Sequence, residues 1–439
     1  MSFSDLHLKP SLLKALEKKA YTDPTPIQRA LIPAIFSGGD VLAGAQTGTG
    51  KTAAFALPIL QDLSGKHLEG QHYPKAIVLV PTRELAKQVH QSFIEYGAFL
   101  PLRSEVLYGG GNFKAQENRL KKGADIIVTT TGRLLEHIGK HHLDLSAVKF
   151  LVMDEADTIL DMGFLKEVSQ ILQYLPEKRQ NILISATLST PLKNLSRQIL
   201  HKPKRIEVDS MGTAASSVKQ IVYPVEAEKK AELLSYLIGS RNYTMALVFV
   251  RKKAEADMVA EELKLSGLKT EVIHGEKSSG ERTRALNAFK EGKIRVLVAT
   301  DIAARGLDIP ALEVVFSYDI PHVTQDYIHR IGRTGRAGKK GLAITLISPG
   351  EMVALRDVER MLGRPIPQER LEGYAPKVMS MQKGARKNEK KKSAEGAFGN
   401  KKKKSTTFSK TKKRKTTKRD SFKVYDANKE KSDKKRGKK

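Results

Sequence analysis

Three groups of residues could do chemistry together. Residues 45–52 read Ala-Gln-Thr-Gly-Thr-Gly-Lys-Thr, after the apolar run Val41–Ala45 and before the helical stretch Ala53–Leu63. Strand, Gly-rich loop and helix in that order is the context of a phosphate-binding loop, whose glycines let successive N–H groups turn toward phosphate oxygens. Ala45, Gln46, Thr47, Gly48, Thr49 and Gly50 would form the cradle. Lys51 can set its ammonium between β- and γ-phosphates, and Thr52 can offer a hydroxyl to Mg²⁺. Ala45 stands where the strict pattern has glycine, and an ordinary Gly-rich turn is the alternative.

The second group follows the apolar run Lys149–Met153, which ends in Asp154-Glu155-Ala156-Asp157. Alone, that string reads equally well as a solvated acidic turn. Paired with the loop 45–52, it reads as the metal-holding acid such a loop needs. Asp154 would hold Mg²⁺ through water, because Mg²⁺ keeps much of its hydration. Glu155 could orient or deprotonate an attacking water. The third group is Arg333 and Arg336, three residues apart and so on one helical or turn face. Planar guanidinium groups match phosphate geometry; surface charge is the plainer reading. The phosphate loop lies in the first half of the chain and these arginines in the second. One ATP per chain would complete its site only by drawing the halves together.

The elements that must position these groups alternate along the chain. Short apolar runs in the first half are Val41–Ala45, Ala76–Val80, Glu105–Tyr108, Asp125–Thr129, Lys149–Met153 and Asn181–Ser185. In the second they are Gln220–Val225, Ala246–Val250, Glu271–His274, Ile294–Ala299, Glu313–Tyr318 and Leu342–Ile347. Nearly continuous Val, Ile and Leu fits strands buried on both faces. Helical spacing between them, as in Thr82–Phe99, Phe164–Leu175, Lys252–Leu265 and Gly280–Lys290, predicts α/β domains with parallel sheets. The small, polar stretch from Asp209 to Ser217 reads as a linker. The division is therefore 1–208, a linker at 209–219, a second domain at 220–375, and a tail at 376–439.

Composition narrows the partners. The 439 residues carry a formal charge of +29, and residues 376–439 hold 26 Lys and Arg against 6 Asp and Glu, a net of +20. So basic and apolar-poor a segment cannot bury enough surface to offset its ordering entropy, and it reads as disordered. A polycation fits nucleic acid or an anionic membrane face; a solubilising tail or a nuclear-localisation signal in the cluster at 412–415 is the alternative. Cys is absent, which removes disulfides, catalytic thiols and cysteine zinc sites. No run approaches the ~20 apolar residues that cross a bilayer. The beginning lacks a signal-peptide pattern, so a soluble cytoplasmic protein is expected.

Taken together, the strings spell a family. Asp154-Glu155-Ala156-Asp157 resembles the motif that names the DEAD-box RNA helicases, as do Thr25-Pro26-Ile27-Gln28, Pro81-Thr82-Arg83-Glu84-Leu85-Ala86, Ser185-Ala186-Thr187, Ala304-Arg305-Gly306-Leu307-Asp308 and the stretch His329–Arg336. They fall in family order over residues 3 to about 360, and the likeness is strongest to bacterial members with a short core and basic tail. The resemblance implies two tandem RecA-like domains with an ATP and RNA cleft between them.

It also implies roles. Gln28 would hydrogen-bond the adenine edge and Phe3 would lie near the base, although core packing explains Phe3 and Tyr21 equally well. Asp308 would meet the ribose hydroxyls. Arg333 and Arg336 would act as cis arginine fingers on the γ-phosphate, each typically contributing ~10³–10⁵ in rate. Asp157, Ser185, Thr187 and His329 would link the acidic motif to the second domain on closure. RNA would meet Pro81, Thr82, Arg83, Gly109, Gly110, Thr131, Gly132 and Arg133 in the first domain, and Arg251, Gly275 and Thr300 in the second. Many are Gly, Thr or backbone positions suited to phosphate and 2′-OH contacts, which do not read sequence. Departures from the family pattern are Ala20, Tyr21, Thr131, Glu276 and Ser279. The implied activity is RNA-dependent ATP hydrolysis that separates short duplexes or remodels RNA–protein complexes, with ribosome assembly or RNA turnover as setting. Pre-ribosomal particles or RNA-decay proteins would be partners of a monomer. An ATP-gated RNA clamp and a DNA-directed translocase are the alternatives.

Overall fold

The computed structural model describes residues 2–45, 48–64, 73–141, 143–187, 189–208, 218–304, 309, 312–335 and 341–376. Gln46, Thr47, the linker 209–217, Asp308, Arg336 and the tail from 377 onward lie outside the described residues. Residues Met1–Ser380 form one compact unit.

That unit contains two parallel sheets. The first has β1 (Val41–Gly44), β2 (Ala76–Leu79), β3 (Ser104–Leu107), β4 (Ile126–Thr129), β5 (Phe150–Met153), β6 (Gln180–Ser185) and β7 (Lys204–Glu207). Their spatial order is β3-β4-β2-β5-β6-β1-β7, with parallel pairing throughout. Successive side chains point to opposite faces, so an unbroken apolar run makes both faces apolar. Val41, Ala43, Val78 and Val152 join the core on one face, and Leu42, Ile77, Leu79 and Leu151 join the core on the other. Burying such a Val, Ile or Leu fully stabilises by roughly 1.5–3 kcal/mol. Helices Pro26–Phe36 and Lys51–Ser64 cover the first face.

β7 has no counterpart among the apolar runs. Lys204, Arg205 and Glu207 are exposed and only Ile206 is buried, as an edge strand with one covered side allows.

The second sheet has β8 (Val218–Pro224), β9 (Ala246–Phe249), β10 (Thr270–Ile273), β11 (Val296–Ala299), β12 (Val314–Ser317) and β13 (Gly341–Ile347). Their order is β10-β11-β9-β12-β13-β8, again all parallel. β8 begins at Val218, two residues inside the expected linker.

Register decides which residues meet. Met153 pairs with Leu183 and Gly44 with Ser185, so β5, β6 and β1 end side by side. The acidic string, Ser185 and the Gly-rich loop therefore emerge on one edge. In the second sheet Ile273 pairs with Ala299, Ala299 with Phe249, and Phe249 with Ser317. The residues that follow, Gly275, Thr300, Arg251 and Asp319, share an edge in the same way. Among the described residues, no helix is long and apolar enough to cross a membrane.

Candidate functional site

The loop after β1 turns at two positive-φ glycines, Gly48 (φ 84°) and Gly50 (φ 89°). Ala45 is buried, and its N–H donates to the Ser185 carbonyl at 2.9 Å. A Cβ at Gly50 would fall 2.4 Å from Gln28 Nε2, so a side chain there must displace the Gln28 amide as well as hold a positive φ. Gln28 is itself buried. Its Oε1 accepts the Thr25 N–H at 2.9 Å, closing the capping box of helix Pro26–Phe36, and its Nε2 donates to the Gly50 carbonyl at 3.1 Å. One amide thus fixes both the helix start and the loop. Phe3 packs in the hydrophobic core, whereas Tyr21 is exposed and meets the Tyr96 ring at 6.4 Å.

Lys51 opens helix Lys51–Ser64, with Thr52 half-buried beside it. Among the described residues the buried Lys51 Nζ makes no hydrogen bond. A desolvated, unpartnered ammonium is costly in a protein that never supplies it an anion. Its field acts on the buried carboxylates Asp154, Glu155 and Asp157. Glu155 Oε2 is likewise buried without a hydrogen-bond partner. Glu155 adopts a left-handed backbone (φ 50°, ψ 49°), a strained choice for a residue with a Cβ. Its N–H donates to Asp154 Oδ1 at 2.9 Å.

Burial pushes the Asp154 carboxyl up, the Lys51 ammonium and the Glu155 N–H opposing it. Burial also pushes Glu155 up; Lys51 and Arg333 oppose the shift and Asp154 and Asp157 add to it. Asp157 goes the other way. Burial acts to raise it, but the His329 imidazole, the Thr187 hydroxyl and Lys51 together hold it below the usual carboxylate range. Its Oδ2 accepts the Thr187 N–H at 2.9 Å and the Thr187 Oγ1–H at 2.8 Å, while Ser185 Oγ donates to the Thr187 carbonyl at 2.6 Å.

These residues suit a nucleoside triphosphate and its cation. The small backbone cradle and the buried Lys51 ammonium address phosphate oxygens, while the Thr52 hydroxyl with one carboxylate, Asp154, makes a set of the kind Mg²⁺ uses when substrate phosphates and waters complete its shell. Among the described residues there is no cluster of three or more His, Cys, Asp or Glu that would cage a metal unaided.

Two residues of the second sheet's domain stand at this acid row. His329 Nε2 lies 3.8 Å from Asp157 Oδ2, and the buried Arg333 exerts its field on Glu155. Arg330, between them in sequence, does something else. It is fully buried, its Nε and Nη2 donate to both Asp301 oxygens at 2.6 and 2.7 Å, and its Nη1 donates to the Asp319 carbonyl. Motif spacing alone does not separate this structural arginine from its neighbours.

A cleft of about 350 Å³ lies elsewhere, lined from both domains. Pro81, Thr82, Arg83, Gly109, Thr131, Gly132 and Arg133 line it from the first, and Gly275 from the second. Gly110 (φ 74°) is just beside it, where a Cβ would come 3.0 Å from Arg83 Nη1. Arg251 and Thr300 are not in its wall, although they continue the same sheet edge. Motif reading does not assign Glu84, Met162, Phe164, Arg282, Ile302 and Ala303 to the lining. Arg282 crosses from the second domain to pair with Glu84 at 3.0 Å. No pattern in the sequence announces that pair, because its members lie almost 200 residues apart.

Residues 25–197 match the family described as DEAD/DEAH box helicase, and residues 229–338 match the helicase conserved C-terminal domain. The chain is 40% identical over 365 residues to the DEAD-box ATP-dependent RNA helicase RhpA of Helicobacter pylori, covering 83% of this chain and 73% of that protein. It is 40% identical over 380 residues to CshA of Bacillus subtilis, another DEAD-box ATP-dependent RNA helicase, covering 85% and 76% respectively. Among solved structures, S. cerevisiae Dbp5 bound to RNA and ADP BeF3 superposes with a TM-score of 0.76 at 31% identity, over 84% of this chain and 95% of that one.

Proposed function

The chain belongs to the DEAD-box ATP-dependent RNA helicases, and from that membership we propose that it is an RNA-dependent ATPase that separates short RNA duplexes by closing two lobes on ATP and RNA. The observation that carries this reading is the presence of His329 and Arg333, from the second lobe, at the Asp157 and Glu155 carboxylates of the first. The lobes are residues 1–208 and 218–375, joined through 209–217.

ATP is held by the turn at Gly48 and Gly50 and by the Lys51 ammonium, and the adenine edge would meet Gln28 once its amide gives up a bond to Thr25 or Gly50; Gln46, Thr47 and Asp308 extend this set. Thr52 and Asp154 would hold Mg²⁺, which supplies charge neutralisation at the phosphate oxygens. Glu155 orients the attacking water and takes its proton. Arg333, with Arg336, neutralises charge that develops as the phosphoryl group leaves. Because both arginines come from the second lobe, hydrolysis waits for closure.

RNA occupies the cleft opposite. Its wall offers Thr hydroxyls, glycine backbone and three arginines (Arg83, Arg133 and Arg282), which address phosphate and ribose and do not read bases. Each ligand favours the closed state and therefore tightens the other. Stacking is worth ~1.4 kcal/mol per base-pair step, so one closure opens only a few pairs. The tail adds sequence-blind affinity. A cytoplasmic monomer acting on pre-ribosomal particles or in RNA decay is the setting we assign.

The test is ATP hydrolysis with and without single-stranded polyribonucleotide, beside duplex displacement with ATP and with a non-hydrolysable analogue. Stimulation by RNA and not DNA, with displacement of short duplexes, is expected. Displacement that fails while RNA still stimulates ATPase would favour an ATP-gated clamp. No stimulation at all would remove the proposal.

A further inference from the structure

A buried ionic quartet sits behind the second lobe's RNA-side edge. Lys230 Nζ is buried and uses all its donors, to the Tyr318 carbonyl at 2.8 Å, Glu351 Oε2 at 2.6 Å and Asp319 Oδ1 at 3.5 Å. Arg251 holds the same two carboxylates from the open side, and more loosely. Its Nη2 lies 3.5 Å from Glu351 Oε1 and 3.8 Å from Asp319 Oδ1, its Nε makes no hydrogen bond among the described residues, and its side chain remains 26% exposed. Only its backbone is hydrogen-bonded to the set, the N–H donating to Asp319 Oδ2 at 3.2 Å.

The charges balance, two cations against two carboxylates. Burial acts to raise Glu351, but the Lys230 ammonium and two hydrogen bonds from Ser348 keep it below the ordinary range, and so ionised. Glu255 borders the quartet from helix Lys253–Leu265, half-buried, its carboxyl pushed up by burial and by Asp319. Asp319 also accepts Arg330 on its carbonyl, which ties the quartet to the helix that carries His329.

We infer that Lys230, Asp319 and Glu351 are positioning residues that set how strongly Arg251 is held back from an RNA phosphate. The inference rests on the reading of Arg251 as an RNA contact. Lys230 is locked, whereas Arg251, held only at 3.5–3.8 Å and with no side-chain hydrogen bond to the set, is the cation free to move. When Arg251 swings to a phosphate, the quartet is left with excess negative charge in a poorly solvated place. That penalty draws the arginine back and favours release of the strand.

The consequence is a pair of effects with opposite sign. Lys230→Met removes the competing cation, so both carboxylates hold Arg251 harder. Glu351→Gln removes one of them and frees it, while Gln can still accept the capping hydrogen bonds from Ser348. Using the full chain and a single-stranded oligoribonucleotide, the RNA concentration for half-maximal ATPase should rise about two- to fivefold in Lys230→Met and fall by a similar factor in Glu351→Gln, with saturating rates little changed. Lys230→Arg should restore the parent value. Arg251→Ala should raise the requirement, flatten the salt dependence by about one ion, and abolish the response to Glu351→Gln.

Shifts of the same sign, or none, overturn the inference, because general loosening of the lobe would weaken RNA binding in both. Should Lys230→Met melt before assay, Glu351→Gln decides alone, and an unchanged or increased RNA requirement refutes it. An Arg251→Ala chain that binds RNA like the parent removes the underlying contact as well, which separates the two failures.

Discussion

His329 Nε2 stands 3.8 Å from the Asp157 carboxylate, joining residues 172 positions apart in sequence and on helices of different lobes. Asp157 already accepts from Thr187, which follows Ser185 and so touches the strand beside the phosphate-loop strand. Three hydrogen-bonded links, Asp157–Thr187, Thr187–Ser185 and Ser185–Ala45, therefore connect the second lobe's contact to the Gly-rich loop. Replacing His329 with Ala should lower RNA stimulation of ATPase while leaving the unstimulated rate near that of the parent. Equal loss with and without RNA would deny the coupling.

Glu155 is expected to be needed for turnover and not for binding. Glu155→Gln keeps the shape and loses the base, so hydrolysis should fall by about 10²–10⁴-fold. Nucleotide and RNA should remain bound together, measurable as a long-lived complex on a filter. Hydrolysis near the parent rate would end the assignment.

The acid limb of hydrolysis carries the sign of the Glu155 shift. A carboxyl pushed up is more protonated at a given pH, so the limb should lie above the ordinary glutamate value of about 4.3. For stability, Asp157 works oppositely. Its folded value is depressed, so its contribution is present above the unfolded value of about 3.9 and is lost as pH falls through the lower folded one. Single-turnover rates and melting curves across pH check both directions.

Gly50 is expected to tolerate nothing larger. Ala there meets Gln28 Nε2 and must hold a positive φ, whose cost alone is about 1–2 kcal/mol. Gly50→Ala should raise the KM for ATP more than tenfold. A parent-like KM would show that the loop can move away from Gln28.

Arg330→Ala is a stability variant first. Removing one member of a buried, bidentate pair costs about 3 kcal/mol, the low end of the range since Asp301 keeps some exposure. A fall in melting temperature of several degrees is expected, whereas Arg333→Ala should spare stability and lose hydrolysis. If the two behave alike, the division of labour between the helix end at Arg330 and the turn at Arg333 is wrong.

The tail offers a salt test. A chain ending at residue 375 should need more RNA for half-maximal ATPase and show a weaker dependence on ionic strength, because some 20 net positive charges are gone. Unchanged behaviour at low RNA would leave the tail without a role in binding.

Much of this was legible from residues alone. Apolar runs mark twelve of the thirteen strands among the described residues, and the thirteenth, β7, hid because only Ile206 of it is buried. The phosphate loop showed itself because its chemistry is local, with glycines, Lys51 and Thr52 inside eight residues. Arg330 and Arg333 could not be told apart, since their roles depend on Asp301 and Asp319, which are near them only in space. The same holds for the Glu84–Arg282 pair and for the quartet around Lys230. Side chains that act across long separations leave no periodic mark.

Finally, β1 lies between β6 and β7, the last two strands of its sheet to be synthesised. A nascent chain cannot flank that strand on both sides until residues 180–207 have left the ribosome. The nucleotide pocket is thus built at the end of its lobe's folding, and an unfinished or truncated first lobe has no means of burning fuel.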